Sequence, residues 1–425
     1  MSEGIASRDG PTKDHGNRAM EAVIVCVFFL MTAGWFMLLD SGLIFEGRPD
    51  PVHFHNLVEK RLLCTVVGAA LLGIIWLWRP DKLRKLTPIV VLLALVLLVL
   101  VWTPLGVAER GSRRWIQLGP FTFQPLEFAK LALVWLMADR IAALGRLGKV
   151  DPRRMLLPLV TVVLLVGLVG AQPNLSGAVF LVVLTFAMAC IGGMSRRLVF
   201  VLTIGAAAMF AALLARHPDR LDRFLPMIRP LTDLSDTGYQ VGMSLWAVTG
   251  GGLFGRGPGG SIAMYSLPDH TTDFTFSIIC EEWGFVGGAI IILLFAALVY
   301  AGFRIALAQR DPFRMMLGCG IAAIIGLQSA INMGVTLALL PTTGIPLPFL
   351  SAAGSNLILS LGQIGLLLNL GRTVRRPAAA RVQENTNKTA EPAQRKPGAY
   401  RGYAAGRSYK PNGISTTEGR RRMAR

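Results

Sequence analysis

The chain has 425 residues, 53% of them hydrophobic and only 16% charged, which excludes a soluble globular domain and predicts a membrane protein. The formal net charge is +18, and Arg372 to Arg425 holds 14 basic against 3 acidic residues, +11 of that total. A basic segment following a transmembrane helix suits the anionic inner leaflet rather than nucleic acid.

In chain order, residues 1–20 form a polar cytoplasmic head with no cleavable signal peptide. The first span is expected from Ala22 to Phe45, with Asp40 near its far end. A loop with His53, His55, Glu59, Lys60 and Arg61 leads to a second span, Leu62–Trp78. After a short basic hairpin, Leu86–Leu105 is the third. The loop Ala108–Thr122 is polar and carries Arg110, Arg113 and Arg114. The fourth span runs from Pro125, a good first-turn proline, to Leu144. Its Glu127 and Lys130, three residues apart, share a helix face and can pair. Met155–Ala171 and Leu175–Gly193 are the fifth and sixth spans, broken by Gln172-Pro173-Asn174, and Leu198–Ala215 is the seventh.

A large loop, 216–272, ends in a Gly-rich piece, Gly250–Gly260. The eighth span is Phe274–Leu307 and the ninth Met315–Leu340. Pro341–Pro348 is too proline-rich for plain helix, and Ser355–Leu370 is the tenth span. The expected architecture is therefore all-α: a ten-helix membrane domain over 21–372, followed by a disordered basic tail over 373–425. The head, 79–85, 140–154, 196–197, 304–314 and the tail are basic and fall on one side, which assigns both termini to the cytoplasm. The large loop, Gln172–Asn174, Pro341–Pro348 and the Arg110–Arg114 loop then lie outside. Those arginines break the positive-inside rule, either as a chance cluster or because they face an anionic ligand.

The five cysteines all sit in apolar runs and read as small hydrophobes; His53 and His55 are the only close histidine pair, with no third metal ligand in view. Asp273 stands where a Gly-rich loop meets the eighth span, with Glu281 and Glu282 inside that span. A carboxylate at such a place is costly and points to function, yet Thr271, Thr272 and Asp273 are also good helix caps.

Several segments, in this order and spacing, resemble the shape, elongation, division and sporulation family, the FtsW and RodA proteins. They are Gly111–Gly119 (GSRRWIQLG), Phe123–Lys130 (FQPLEFAK), Gly238–Val241 (GYQV), Gly250–Gly257 (GGGLFGRG), Thr272–Phe276 (TDFTF) with Glu281–Gly284 (EEWG), and Thr343–Phe349 (TGIPLPF). The match spans nearly all of 20–375, and Tyr239-Gln240 with the Gly-rich loop looks closer to FtsW. Departures are Thr271 where the family often has His, Asn174 where it has Asp, Ala352-Ala353 in the last loop, and a missing Lys in the Gly-rich loop.

The resemblance implies an inverting peptidoglycan glycosyltransferase of a bacterial cytoplasmic membrane. Such an enzyme polymerises lipid II on the outer face, in division or elongation complexes, beside a class B penicillin-binding protein. It matches Asp273 to the family's key acid, and Glu127 with Lys130 to its buried polar pair. Asp273 is the expected base. Arg110, Arg113, Arg114, Glu127, Lys130, Gln172, Thr272, Glu281, Ser351 and Ser355 are the expected substrate-side residues. Arginines or a loosely held divalent cation, magnesium or manganese, would take the diphosphate charge; no dedicated metal cage is visible. A lipid II flippase and a non-catalytic scaffold for the transpeptidase are the competing classes.

Overall fold

The computed structural model describes residues 10–45, 48–78, 80–109, 112–119, 121–145, 152–194, 203–205, 208, 211, 215 and 236–375. Arg110, most of the expected seventh span, the start of the large loop and the tail from 376 lie outside them.

The helices are α1 (Gly10–Ser41), α2 (Pro51–Leu77), α3 (Thr87–Leu100), α4 (Pro125–Gly145), α5 (Pro152–Ala171) and α6 (Leu175–Ile191). After the large loop begins come α7 (Asp236–Gly250), α8 (Thr275–Leu307), α9 (Pro312–Thr336) and α10 (Gly354–Arg375). The chain is a polytopic helical membrane protein. Six of the described helices are long and apolar enough to cross a membrane: those in α1, α2, α3, α8, α9 and α10. Helix α4 carries Glu127, Lys130, Asp139 and Arg140, and its middle is buried among other helices instead. Helices α9 and α10 are the most enclosed of the six, whereas α2 and α3 turn most of their apolar surface outward, as lipid-facing helices do.

Three local features differ from the sequence reading. First, α2 starts at Pro51 rather than Leu62. Asp50 caps it, accepting from the amides of Val52 and His53, and Pro51 fills the first turn. His53, His55, Glu59, Lys60 and Arg61 are therefore helical, and Arg61 is buried. Second, the loop 108–122 is built as a three-stranded antiparallel sheet, β3 (Gly106–Glu109), β4 (Ser112–Leu118) and β5 (Phe121–Phe123). A two-residue pairing of β1 (Ile44–Phe45) with β2 (Arg48–Pro49) closes the turn after α1. Third, the large loop contains a fifteen-residue helix, α7, which packs on α8.

All five cysteines are free thiols, four of them buried. Departure of Asn174 from Asp has no cost in the fold: its Oδ1 accepts from the Gly177 amide and caps α6, a task Asn and Asp perform equally.

Candidate active site

The N-cap of α8 is Phe274, whose own side chain makes no capping bond, and Asp273 stands one residue before it. Asp273 sits in a tight turn: the amides of Thr272, Asp273 and Phe274 all donate to the carbonyl of Asp269, which takes a positive φ of 57°. Its carboxylate points at the Pro-rich loop, where a methyl group placed on Gly344 would lie 3.5 Å from Oδ2. Asp273 is half-buried at the mouth of the helix bundle.

The Pro-rich loop is held against that turn by buried side chains. Asn332 of α9 donates to the carbonyls of Asp273 (2.8 Å) and Ile345 (2.9 Å), so one amide links both segments. Ser351 Oγ donates to the Thr272 carbonyl and accepts from the Leu347 amide, while the Ala352 amide donates to the Thr271 carbonyl at 2.9 Å. From the other side, the Arg61 guanidinium donates to the carbonyls of Phe349, Leu350 and Ser351 at 2.8–3.1 Å and lies over the Trp35 ring. Prolines at 341, 346 and 348 remove amide donors from this loop, and side chains serve its carbonyls at Ile345, Phe349, Leu350 and Ser351. Arg61 was not singled out in the sequence. A basic residue eleven positions into a helix reads as a flank until its carbonyl partners, about 290 residues on, are seen.

Beneath the loop lies a buried polar chain. Lys130 Nζ donates to Glu127 Oε1 (2.7 Å) and to Gln328 Oε1 (2.8 Å), and sits 4.9 Å from the Phe180 ring centroid. Glu127 Oε2 accepts from Asn356 (2.9 Å), and Gln328 Nε2 donates to the Pro346 carbonyl (2.9 Å). The expected pair is therefore real, and it ties α4, α9 and α10 to the loop that borders Asp273. Ser355, at the start of α10, is buried beside Asn356.

Three further expected site residues lie at the α5–α6 break and on the sheet. Gln172 Nε2 donates to the Leu98 carbonyl (2.9 Å), closing the end of α3. Arg114 donates to the Pro173 carbonyl and so straps the sheet to the α5–α6 break, while Arg113, on the opposite face of β4, is exposed. Strand β5 packs on α10.

Glu281 belongs to a second assembly. It is fully buried and accepts from Ser261 Oγ (2.6 Å) and the amides of Ile262 and Ala263, with Arg256 Nη1 at 3.5 Å. Helix α8 is broken at Gly284 (φ 67°, ψ −166°), which leaves backbone groups on either side without helical partners. The Gly-rich strap supplies them: Arg256 and Gly257 amides donate to the carbonyls of Glu281 and Glu282. In return, the Phe285 and Val286 amides donate to the carbonyls of Gly252 and Leu253.

His270 does not stand in for the histidine absent at position 271. Its ring nitrogens face the carbonyls of Leu267 and Ser41, both at 3.1 Å, away from Asp273's loop, and burial lowers its pKa below the usual histidine value. Among the described residues no three of His, Cys, Asp and Glu gather to hold a metal.

A family model described as cell cycle protein, covering FtsW, RodA and SpoVE, matches residues 20–376. The chain is 34% identical over 360 residues to stage V sporulation protein E of Bacillus subtilis, across 82% of this chain and 96% of that protein. It is 35% identical over 362 residues to a probable peptidoglycan glycosyltransferase FtsW of Trichlorobacter lovleyi, across 82% and 92%. Among solved structures it is similar to a chain of a peptidoglycan synthase complex that coordinates polymerization and crosslinking, with TM-score 0.69, 28% identity, and coverage of 84% of this chain and 98% of that one. It is also similar to RodA of Thermus thermophilus, with TM-score 0.61, 28% identity, and coverage of 84% and 97%.

Proposed function

Because the chain belongs to the FtsW, RodA and SpoVE cell cycle family, we propose that it is a peptidoglycan glycosyltransferase that polymerises lipid II with Asp273 as general base. The observation that carries this reading is the Asp273 carboxylate at the mouth of α8, directed at a loop that three buried side chains hold in place. In the reaction the acceptor sugar hydroxyl gives its proton to Asp273, and its oxygen bonds to the anomeric carbon of the donor. The bond from that carbon to the diphosphate breaks, and the lipid diphosphate leaves with the electron pair. A single attacking hydroxyl and a single carboxylate suit inversion at that carbon.

Arg113, exposed on the sheet that packs on α10, is the described arginine suited to the diphosphate. A magnesium or manganese ion carried in by the diphosphate would share its negative charge. Asp273 lies on the outer face, both termini in the cytoplasm, and the partner is a class B penicillin-binding protein that cross-links the strands, in a division or elongation complex.

The test is polymer formation from lipid II by the purified protein in detergent, where no second compartment exists for a flippase to serve. The native chain is expected to make glycan polymer, and Asp273→Asn to lower turnover by about 10²–10⁴-fold while Asp273→Glu keeps part of it. Near-native polymerisation by Asp273→Asn would return the residue to a structural role. Translocation of lipid II by vesicles without polymer from the native chain would replace polymerase by transporter.

A further inference from the structure

We propose that the tip of the Gly-rich strap, Leu253 and Phe254, is a membrane anchor that inserts into the hydrocarbon edge of the lipid bilayer. These two side chains are 65% and 79% exposed, at the turn of a strap whose backbone is otherwise committed to α8. The strap joins α8 at Phe285 and Val286. There an outward apolar stripe begins and continues through Ile290, Leu293 and Tyr300, the spacing of one helix face. That stripe belongs to a helix apolar enough to cross the bilayer, so the strap tip is continuous with a lipid-facing surface.

Depth along two helices agrees. From Phe285 to Arg304 α8 rises about 28 Å, close to the ~30 Å of a hydrocarbon core, which sets Phe285 at one boundary and Arg304 at the other. From Glu21 to Asp40 α1 rises about 28 Å, a core's thickness flanked by charges. The strap touches that boundary too: the Gly259 amide donates to Asp40 Oδ2 at 3.1 Å. Both strap contacts therefore fall at the same membrane edge. Trp246 and Arg256 flank the tip, with the guanidinium 5.2 Å from the ring centroid, the pairing of an indole and a cation that headgroup regions favour. The occupant is bilayer lipid, because the patch continues a lipid-facing stripe and is rimmed by interfacial residue types. The anchor fixes the height of the Gly284 break, and with it the turns of α8 from Thr275 to the break.

The test uses the full chain in nanodiscs of phosphatidylethanolamine and phosphatidylglycerol. On a Cys190→Ser background, which removes the exposed thiol, Phe254→Cys is labelled with an environment-sensitive fluorophore, and Ser266→Cys, exposed in the adjoining turn, is the reference. The label at 254 is expected to lose fluorescence to lipids carrying a nitroxide near the headgroup and little to aqueous iodide, with the reverse at 266. Stronger quenching by iodide at 254 overturns the proposal. So does quenching by neither agent, which means protein covers the tip, and so does lipid quenching that vanishes when a cross-linking transpeptidase is added. The reading does not depend on turnover, so it stands or falls apart from the polymerase assignment.

Discussion

Two loops grip the first turns of α8, and they do so by opposite means. The Gly-rich strap is held by backbone: its amides and carbonyls complete the ladder broken at Gly284, and Glu281 adds a carboxylate to the amides that follow. The Pro-rich loop is held by side chains reaching in from two helices, Arg61 of α2 and Gln328 and Asn332 of α9; Lys130 of α4 supports Gln328, and Glu127 beside it accepts from Asn356 of α10. A backbone-held loop tolerates most side-chain changes and fails where a Cβ intrudes. A side-chain-held loop tolerates backbone neighbours and fails when one long polar side chain is cut. The loop next to Asp273 is the second kind, so the reactive carboxylate's position is set by residues far away in sequence.

The sharpest break comes from Lys130→Ala. It leaves Glu127 buried without its cation and Gln328 without its donor, and removing one partner of a buried pair costs about 3–5 kcal/mol. In hydrogen exchange the amides of 341–353 are expected to lose protection while those of 250–260 keep it. Equal loosening of both loops would erase the contrast. Replacing both charges, Glu127→Gln with Lys130→Met, is expected to recover most of the stability.

Next is Gly284→Ala, which strikes the strap. The residue has a backbone conformation open essentially to glycine, and a Cβ there would collide with the Gly255 amide and the Leu253 carbonyl. A loss of about 1–3 kcal/mol in thermal or denaturant stability is expected, with exchange rising first in 250–260. Arg61→Lys is milder. An ammonium cannot fork to three carbonyls, so the Pro-rich loop shifts while the fold persists. Turnover is expected to fall about tenfold, roughly 1.4 kcal/mol, with the KM for lipid II unchanged. A rise in KM at constant kcat would make Arg61 a substrate ligand rather than a positioning residue.

Sequence disclosed the helices well where apolar runs and cap residues agree. Pro125, Asn174 and the start of α8 fall within one residue of their expected places. It disclosed the Glu127–Lys130 pair because three-residue spacing on a helix forces proximity. What it hid were long-range partners. Gln172 and Arg114 have carbonyl partners at a helix end and a helix break that their residue types alone do not announce. The start of α2 was hidden because His53 to Arg61 is polar enough to read as loop until the Asp50 cap and Pro51 are taken together. The sheet β3–β5 was hidden since its short strands lie under a basic composition that reads as loop.

The smallest effect concerns pH and the turn that carries Asp273. His270 lies three residues before it, buried between the Leu267 and Ser41 carbonyls. Protonation would let both ring nitrogens donate, and Asp269 favours the charge, while His53 opposes it; burial outweighs these and holds the folded pKa below 6.5. Above pH 6.5 the ring is neutral whether the chain is folded or unfolded, and its contribution is constant. As pH falls below 6.5 the unfolded chain takes up a proton that the folded chain refuses, so stability declines until the folded pKa is reached. The native protein's thermal midpoint in detergent should therefore drop between neutral and mildly acidic pH more than that of His270→Gln, which keeps a donor and does not titrate. A native midpoint that holds steady or rises relative to His270→Gln over that window would mean the carbonyl pair outweighs burial, and His270 would then be an imidazolium clasp between α1 and the Asp273 turn.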